Sequence, residues 1–222
     1  MKILFTLVLV LFVASGCTPR TTTLEDEVAS HPDVWDRHWQ WGASSNHWAL
    51  LDRVVAVDDV QRRIRLVTAL RNRLRRTPEE MLADCGNLNV FDQRIHFARS
   101  CAERVEGKDK DPTALAASWK LEAAWIDDVE RLMELTEKDW YNERGKKWDA
   151  PLRDREIRTF SVHIRRLYEL FFEKTFSSCV GTYNRLPESA RPAFVEQIKR
   201  DFFHRRGMKY VNMNDFPPAF RK

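Results

Sequence analysis

Histidine is the side chain in this sequence best suited to move protons near neutral pH, because its unperturbed pKa is about 6.5. The six histidines occupy positions 31, 38, 47, 96, 163 and 204. None is paired with another in the H-E-x-x-H spacing of a zinc protease. His38 and His47 flank a tryptophan-rich stretch and are candidates for a shared hydrolytic pocket. The alternative is that both are surface or internally bonded histidines.

Three pairs of adjacent carboxylates are the other candidates for acid–base chemistry: Asp58-Asp59, Glu79-Glu80 and Asp127-Asp128. Adjacent residues on a helix point about 100° apart, so the two members of a pair do not converge on one substrate. We interpret them as solvated faces or capping turns. The sequence also lacks G-x-S-x-G, S-x-x-K and a glycine-rich phosphate loop. It therefore predicts no catalytic residue, no metal site and no cofactor.

The amino-terminal segment carries the most specific motif. Lys2 precedes an apolar run at positions 3–14, and small residues then lead to a cysteine in Ala14-Ser15-Gly16-Cys17. The run is too short to cross the roughly 30 Å hydrocarbon core of a bilayer and is typical of an export signal. The motif resembles the lipobox of bacterial lipoproteins, although Ala14 stands where leucine is usual.

This resemblance implies that the Cys17 thiol receives a diacylglycerol, that residues 1–16 are removed and that the new amino terminus is acylated. Thr18 follows the cysteine, and in this respect the chain resembles lipoproteins sent to the outer membrane. In such lipoproteins, aspartate at the same position favours retention in the inner membrane. We therefore expect a lipid-anchored envelope protein that faces the periplasm from the outer membrane. Nucleic acid is excluded as a partner, because an exported lipoprotein does not normally meet it.

Export to an oxidising compartment gives the other three cysteines meaning. Cys85 and Cys101 are predicted to lie on two sides of a helical hairpin, where a disulfide would close a loop of about fifteen residues and contribute about 3 kcal/mol. Cys179 would then be a buried thiol. The alternative is that all three are buried and reduced, since free cysteine is among the most buried residue types.

Glycine is scarce, with seven in the chain, and apolar residues recur every three or four positions, which favours helices. The apolar stripe over residues 51–74 predicts one long helix, capped by Ser44 or Ser45. Thr77-Pro78-Glu79-Glu80 is a specific helix start, and Asp111-Pro112 predicts another.

The most apolar helix is predicted to follow Asp149 and to end near Gly181 and Pro187. Because it has no continuous polar face near its middle, we expect it to be the central helix of an irregular all-α bundle of about six helices. A last helix follows Arg191. The predicted organisation is a signal peptide (1–16), a lipidated flexible tether (17–30) and a single helical domain (31–222) that ends in an extended tail (209–222).

Charge is distributed unevenly along the chain. Lysines and arginines number ten, eleven and fifteen in residues 18–76, 77–149 and 150–222, against eight, seventeen and eight aspartates and glutamates. Either the acidic middle third packs beside its neighbours and is neutralised by them, or the basic end binds an anionic partner. The candidate residues for such binding are Lys199, Arg200, Arg205 and Arg206.

The chain has eight tryptophans, which form two groups. We expect Trp119, Trp125, Trp140 and Trp148 to fill the core. The group nearest the lipid is Trp35, Trp39, Trp41 and Trp48, and it leaves three functions open: core filling, a membrane-interface belt or anchors for a partner. Trp35, Trp39 and Trp41 are candidate partner-binding residues.

Together these patterns favour a membrane-anchored, non-enzymatic protein-binding module. One version is an immunity lipoprotein that neutralises an incoming antibacterial effector. A second is an assembly or pilotin-like lipoprotein of a secretion system. The enzymatic alternative is an envelope hydrolase with a site around His38 and His47.

Overall fold

All regular elements in the described part of the chain are helices. The computed structural model describes residues 22–35, 46–108, 111–142 and 151–221. The α-helices in these ranges are α1 (Leu24–Ser30), α2 (Asn46–Val55), α3 (Val60–Leu74), α4 (Pro78–Met81), α5 (Leu88–Arg104), α6 (Pro112–Asn142), α7 (Pro151–Arg185) and α8 (Arg191–Phe202). The predicted all-α fold is confirmed, with eight α-helices in those ranges instead of about six. Within them, no helix has the length and apolar character needed to cross a bilayer.

Two predicted helix starts are confirmed by their capping hydrogen bonds. The Thr77 hydroxyl accepts from the Glu80 amide at 3.2 Å, and the Glu80 carboxylate accepts from the Thr77 amide at 2.8 Å. At the start of α6, Asp111 Oδ1 accepts from the amides of Thr113 and Ala114 at 2.7 and 3.3 Å. These bonds satisfy amides that the helices themselves leave without partners.

The single helix predicted over residues 51–74 is wrong, because the chain leaves the helix after α2 and restarts at α3. Asp59 explains the restart: its carboxylate accepts from the Arg62 amide at 2.7 Å and caps α3. The apolar stripe continues across the break, so periodicity alone does not locate it. The Asp58-Asp59 pair thus provides a capping turn, as the sequence predicts.

Arg63 ties the turn between α2 and α3 to the end of α5. This residue is only 2% exposed and donates to the carbonyls of Val57, Val105 and Glu106 at 2.8, 3.0 and 3.0 Å. Gly107 lies beside it with a φ of 66°, and a Cβ there would come within 2.7 Å of Arg63 Cζ. The turn after α5 therefore depends on glycine for both its backbone conformation and its space.

The buried apolar side chains form two clusters. The main cluster is built by helices α4 to α8 and the segment after α8, and it includes Phe91, Trp125, Phe172, Phe176, Phe202 and Phe220. The amino-terminal cluster is built mainly by α1, α2, α3 and α5, and it includes Val28, Leu51, Val54, Val67, Leu70 and Phe97. Helices α5 and α6 contribute to both clusters and so join them.

Part of the predicted flexible tether is helical. Residues 24–30 form α1, which a capping box between Thr23 and Asp26 initiates. Val28 is 2% exposed in the amino-terminal cluster, and Glu25 accepts from Arg62 of α3 at 2.8 and 3.0 Å. Glu25, which the sequence assigns to the tether, thus docks α1 on α3, while Glu27 pairs with Arg53 of α2 at 2.5 Å.

The carboxy-terminal segment lies over the bundle, and short 3-10 turns replace the predicted extended conformation. These turns cover Arg206–Tyr210, Met213–Asp215 and Pro218–Phe220. Phe216 is 4% exposed and its ring centroid lies 4.9 Å from that of Phe176 in α7. Phe220 is fully buried, 5.6 Å from the Tyr183 ring. The segment is therefore part of the main cluster.

The Cys85–Cys101 disulfide is not formed, and Cys85, Cys101 and Cys179 are all thiols. Cys101 lies thirteen residues beyond Leu88, the first residue of α5, which places it about 20 Å along the helix axis. Cys85 lies just before that helix and packs against the main cluster, whereas Cys101 is buried in the amino-terminal cluster. A disulfide needs Cα atoms within about 7 Å. The alternative, in which all three cysteines are buried and reduced, is right for Cys101 and Cys179, whereas the Cys85 thiol is only half-buried.

Gly207→Ala should destabilise the fold by about 3 kcal/mol, because a Cβ at this position would lie 2.3 Å from Phe172 Cγ in the main cluster. Gly181→Ala is the matched control: it lies within α7 with no atom inside 4 Å of its Cβ. It should stabilise by about 1 kcal/mol, since alanine favours helix. Urea unfolding measures both changes. Equal effects of the two substitutions would contradict the packing of Gly207 on Phe172.

Candidate functional site

The middle of α6 carries a carboxylate that is buried between Arg71 of α3 and Arg75, the residue that follows α3. The Asp128 side chain is 8% exposed and accepts from Arg75 Nε and Nη2 at 2.9 and 2.5 Å and from Arg71 Nη2 at 3.3 Å. The interpretation of the Asp127-Asp128 pair as a solvated face is therefore wrong for Asp128. Its two arginine partners hold α3 against α6.

The neighbouring carboxylates of α6 bind the chain that follows α8. Arg205 is 8% exposed and its Nη1 donates to Asp127, with Glu130 at 3.6 Å. Glu130 also accepts from the Arg206 amide at 2.9 Å and from the Tyr168 hydroxyl. Asp127 and Asp128 thus bind different segments of the chain, as side chains about 100° apart on α6 can.

These contacts reduce the number of basic side chains at the carboxy-terminal end that are available to bind a partner. Arg205, a candidate partner-binding residue, is instead buried in ion pairs within the fold. Lys199 lies 3.3 Å from Glu196, and Arg200 lies 3.2 Å from Asp201. Arg206 is exposed. Neutralisation between the thirds of the chain therefore accounts for part of the charge pattern.

A histidine pair joins the stretch after α1 to α2. His31 Nε2 lies 2.7 Å from His47 Nδ1, and His47 Nε2 lies 2.7 Å from the Val34 carbonyl oxygen. Because a carbonyl only accepts, His47 carries its proton on Nε2, and its Nδ1 accepts from His31 Nε2–H. Burial lowers the pKa of both rings, so both remain neutral near pH 7. Both nitrogens of His47 are engaged within the fold.

Sequence reasoning pairs His47 with His38, which lies outside the described residues, and it does not identify His31. No local signal exists for the observed pair, since its members are sixteen residues apart. The pair has the geometry of a structural latch, because it holds the stretch after α1 in place by neutral hydrogen bonds.

Asp33 and Trp35 complete this latch. Asp33 accepts from Arg76 Nε and Arg94 Nη1, each at 2.9 Å, and from Trp35 Nε1 at 2.5 Å. Burial opposes ionisation of Asp33, but the bonds from Arg94 and Trp35 outweigh it and lower the pKa of the carboxyl. Trp35 also packs 4.4 Å from the His47 ring. Among core filling, a membrane-interface belt and partner binding, the contacts of Trp35 support core filling.

The two other candidate anchors, Trp39 and Trp41, lie outside the described residues, as does Trp148. The prediction of core filling is confirmed for Trp119 and Trp125, which are 3% and 1% exposed in the main cluster. The side chain of Trp140 also lies outside the described part of the chain.

Glu122 is a buried carboxyl that the sequence interpretation misses. It is 5% exposed on α6 and accepts from the indole nitrogen of Trp125. Burial raises the pKa of Glu122 to about 7, although Trp125 and Arg99 partly oppose the shift. A signal was present, because Glu122 stands between Trp119 and Ile126 on the spacing of the apolar stripe.

The outer face of α7 exposes apolar side chains to solvent. Val162 is 65% exposed and Leu170 is 47% exposed. Arginines surround Val162 on the exposed side of the helix at positions 155, 158, 165 and 166. Near the middle of α7 the exposed Leu170 interrupts its polar side, whereas the arginine-rich side faces outward in the amino-terminal half of the helix. We call residues 155, 158, 162, 165, 166 and 170 the outer face of α7.

No protein family model, curated protein or solved structure matches this chain. Within the described ranges, no three histidine, cysteine, aspartate or glutamate side chains come together in a group that could hold a metal ion. The candidate functional features in these ranges are the buried histidine pair, the buried Glu122 carboxyl and the outer face of α7.

The stability of Glu122→Gln relative to wild type should increase as the pH rises. The raised pKa of Glu122 contributes stability that is fully present below about pH 4.5 and is lost as the pH rises through about 7. Glutamine still accepts from Trp125 but does not ionise. The gain over wild type should therefore grow by about 3 kcal/mol between about pH 4.5 and pH 8.

Urea unfolding across that pH range measures this gain, and the exposed Glu188→Gln serves as the control that should keep the wild-type profile. A stability difference between Glu122→Gln and wild type that does not change with pH would contradict a buried, protonated carboxyl.

Proposed function

We propose that this chain is a lipid-anchored envelope protein that binds another protein through the outer face of α7. The exposed Val162 carries this proposal. A β-branched side chain that is 65% exposed in the middle of a long helix gains free energy when a partner covers it. Arginine, which is enriched at protein interfaces, lies on both sides of it.

Charge supports a partner with an acidic surface. Over residues 155–166, the exposed charged side chains are four arginines and one glutamate, Glu156. Such a patch attracts an acidic surface over a Debye length of about 8 Å at physiological salt. The apolar side chains at its centre would then be removed from water on contact.

The internal contacts of the polar groups favour binding over catalysis. His47, the candidate general base, has both ring nitrogens engaged by His31 and the Val34 carbonyl. Asp33 is held by Arg76 and Arg94. These groups support the position of a segment, and a hydrolytic role would require them to leave their present partners.

The leader supports the location. A lipid on Cys17 would confine the binding face to the envelope, where an incoming antibacterial effector passes. We therefore favour an immunity lipoprotein whose partner is an effector with an acidic patch. In the pilotin-like alternative, the same face would bind a component of a secretion channel.

Val162→Asp should weaken capture of the partner at least tenfold, because it places a carboxylate at the centre of the proposed contact. Ser177→Asp adds the same charge at an exposed position farther along α7 and should leave capture unchanged. Quantitative pull-down from detergent-solubilised envelopes, using the full lipidated chain, compares the two.

The same variants separate the functional alternatives. An immunity protein with Val162→Asp should lose protection against the captured effector, whereas a pilotin-like protein should mislocalise a channel without any protective effect. Equal capture by wild type and Val162→Asp would exclude the outer face of α7 as the binding surface.

Cys17→Ser should abolish the anchor. Without a thiol no diacylglycerol can attach, so the protein should leave the membrane fraction and lose the mass of its acyl chains. Cys179→Ser serves as the control, because this thiol is buried in the main cluster and is no part of the lipobox. Fractionation and intact mass spectrometry measure both. An unchanged mass and distribution for Cys17→Ser would contradict lipid attachment.

A further inference from the structure

Helix α1 fixes the beginning of the described chain on the surface of the bundle. Val28 is buried in the amino-terminal cluster, and Glu25 accepts from Arg62 of α3 at 2.8 and 3.0 Å. The hydrogen bonds from Arg62 are the main reason that the pKa of Glu25 lies at about 2, so this carboxylate stays charged at physiological pH. The predicted tether is thereby shortened to the residues that precede α1.

The distance from the lipid to α1 is limited by the number of residues between them. Five residue steps separate Cys17 from Thr22, the first described residue. Because a chain spans at most about 3.6 Å per residue in any conformation, Thr22 lies within about 18 Å of Cys17. This limit rests on the proposed function, since it requires the lipid on Cys17.

A limit of this size decides which side of the domain faces the bilayer. The acyl chains lie in the hydrocarbon, so Cys17 itself would lie in the interfacial layer beside it. A compact chain of about 200 residues is roughly 40 Å across, which is more than twice the reach of the tether. The surface that carries α1 must therefore lie near the bilayer, and the opposite surface must face away from it.

A groove runs between α1 and α3 on this surface. Its volume is about 540 Å³, and Val28, Ala29, Leu66 and Ala69 form the apolar part of its lining. Val28 and Leu66 are buried, whereas Ala29 and Ala69 are exposed. The groove therefore has an apolar floor and is open to the outside. We call residues 25, 28, 29, 62, 65, 66, 69, 72 and 73 the α1–α3 groove.

The charged part of the lining is mainly arginine. Three guanidinium groups, those of Arg62, Arg65 and Arg73, lie there with one carboxylate, that of Glu25. Arg62 is bound to Glu25, and the charge of Arg65 also acts on this carboxylate. Arg73 donates to the His31 carbonyl, which carries no charge. The lining of the groove thus has an excess of positive charge.

Further carboxylates beside the groove serve as helix caps. Asp26 accepts from the amide and the hydroxyl of Thr23 at 3.2 and 2.8 Å. Asp59 accepts from the Arg62 amide at 2.7 Å and also favours the charged form of Arg62. The surface around the groove therefore carries charges of both signs. A layer of phospholipid headgroups, which contains phosphate and amine groups, is complementary to such a surface.

We propose that the α1–α3 groove is the bilayer-facing surface of the anchored protein. In this orientation Arg65 and Arg73 bind phospholipid phosphates, for which guanidinium groups are well suited, and Ala29 and Ala69 approach the upper part of the acyl chains. The short tether selects the bilayer as the occupant, because it holds this surface close to the membrane. The outer face of α7 shares no residue with this groove.

Nitroxide labels on the full lipidated chain test the orientation. Ala69→Cys places a label in the groove, and Asn214→Cys places one at an exposed position in the segment after α8. Both chains also carry Cys85→Ser, so that this half-buried thiol does not react. The chains are reconstituted in nanodiscs of phosphatidylethanolamine and phosphatidylglycerol at roughly three to one. Intact mass spectrometry establishes that the acyl chains are present.

Electron paramagnetic resonance then measures collisions of each label with a water-soluble nickel chelate and with oxygen, which concentrates in the bilayer. We expect the label at position 69 to collide about threefold less with the chelate than the label at position 214, and more with oxygen, because the groove lies in the interfacial layer.

Two charge-reversal variants connect the orientation to the groove. Arg65→Glu combined with Arg73→Glu should raise the chelate collisions at position 69 to the level at position 214, because the new carboxylates repel lipid phosphates. Arg131→Glu combined with Arg200→Glu makes an equal change of charge at exposed positions on α6 and α8 and should leave the collisions unchanged.

Equal chelate collisions at positions 69 and 214, on a chain that carries its acyl mass, would overturn the orientation and leave the lipid anchor intact. A chain without the acyl mass would contradict the proposed function and, with it, the limit on the tether. Protection of position 69 that persists in detergent and grows with protein concentration would assign the groove to a second copy of the chain, which also overturns the proposal.

Discussion

Three carboxylates on one stretch of α6, those of Asp127, Asp128 and Glu130, bind different segments of the chain and so fix their positions relative to α6. Asp128 is held by Arg71 and Arg75, while Asp127, about 100° around the helix, binds Arg205. Glu130 extends the second set to Tyr168 of α7. Removing one member of a buried ion pair typically costs about 3–5 kcal/mol, because the other charge is left without compensation. The acidic stretch of α6 thus positions helices on both of its sides.

This arrangement explains why two apolar clusters coexist in the described part of the chain. Helix α3 belongs to the amino-terminal cluster, and the segment after α8 belongs to the main cluster. Asp128 fixes α3 to α6, and Asp127 fixes the segment after α8 to α6. The ion pairs therefore set how the helices are placed, while the apolar side chains supply most of the free energy of burial.

The sequence correctly predicts the structural features that are determined by residues close together in the chain. The helix starts at Thr77 and Asp111 are correct because a capping hydrogen bond spans only two or three positions. The break before α3 and the helical α1 are missed, because the same residue types serve in caps and in tethers. The apolar stripe of α7 predicts burial but not how many sides are covered, so Val162 is not identified.

Long-range pairs are beyond such reasoning. Asp127 and Arg205 are 78 positions apart, and a charge count shows only that opposite thirds of the chain could neutralise each other. The ion pairs of Asp128 with Arg71 and Arg75 join residues more than fifty positions apart, whose local charge patterns resemble solvated faces. Glu122 is the exception, since a carboxylate on an apolar stripe is visible in the sequence.

The separation of the two clusters along the chain has a consequence for the order of assembly. The amino-terminal cluster draws its members from positions up to Leu121, whereas the main cluster also needs Phe216 and Phe220. A chain that emerges from its amino terminus therefore presents a complete set of contacts for the first cluster while the second still lacks its closing side chains. Until those phenylalanines arrive, the rings of α7 and α8 stay open to water, and a chaperone that shields aromatic surface would act during that interval.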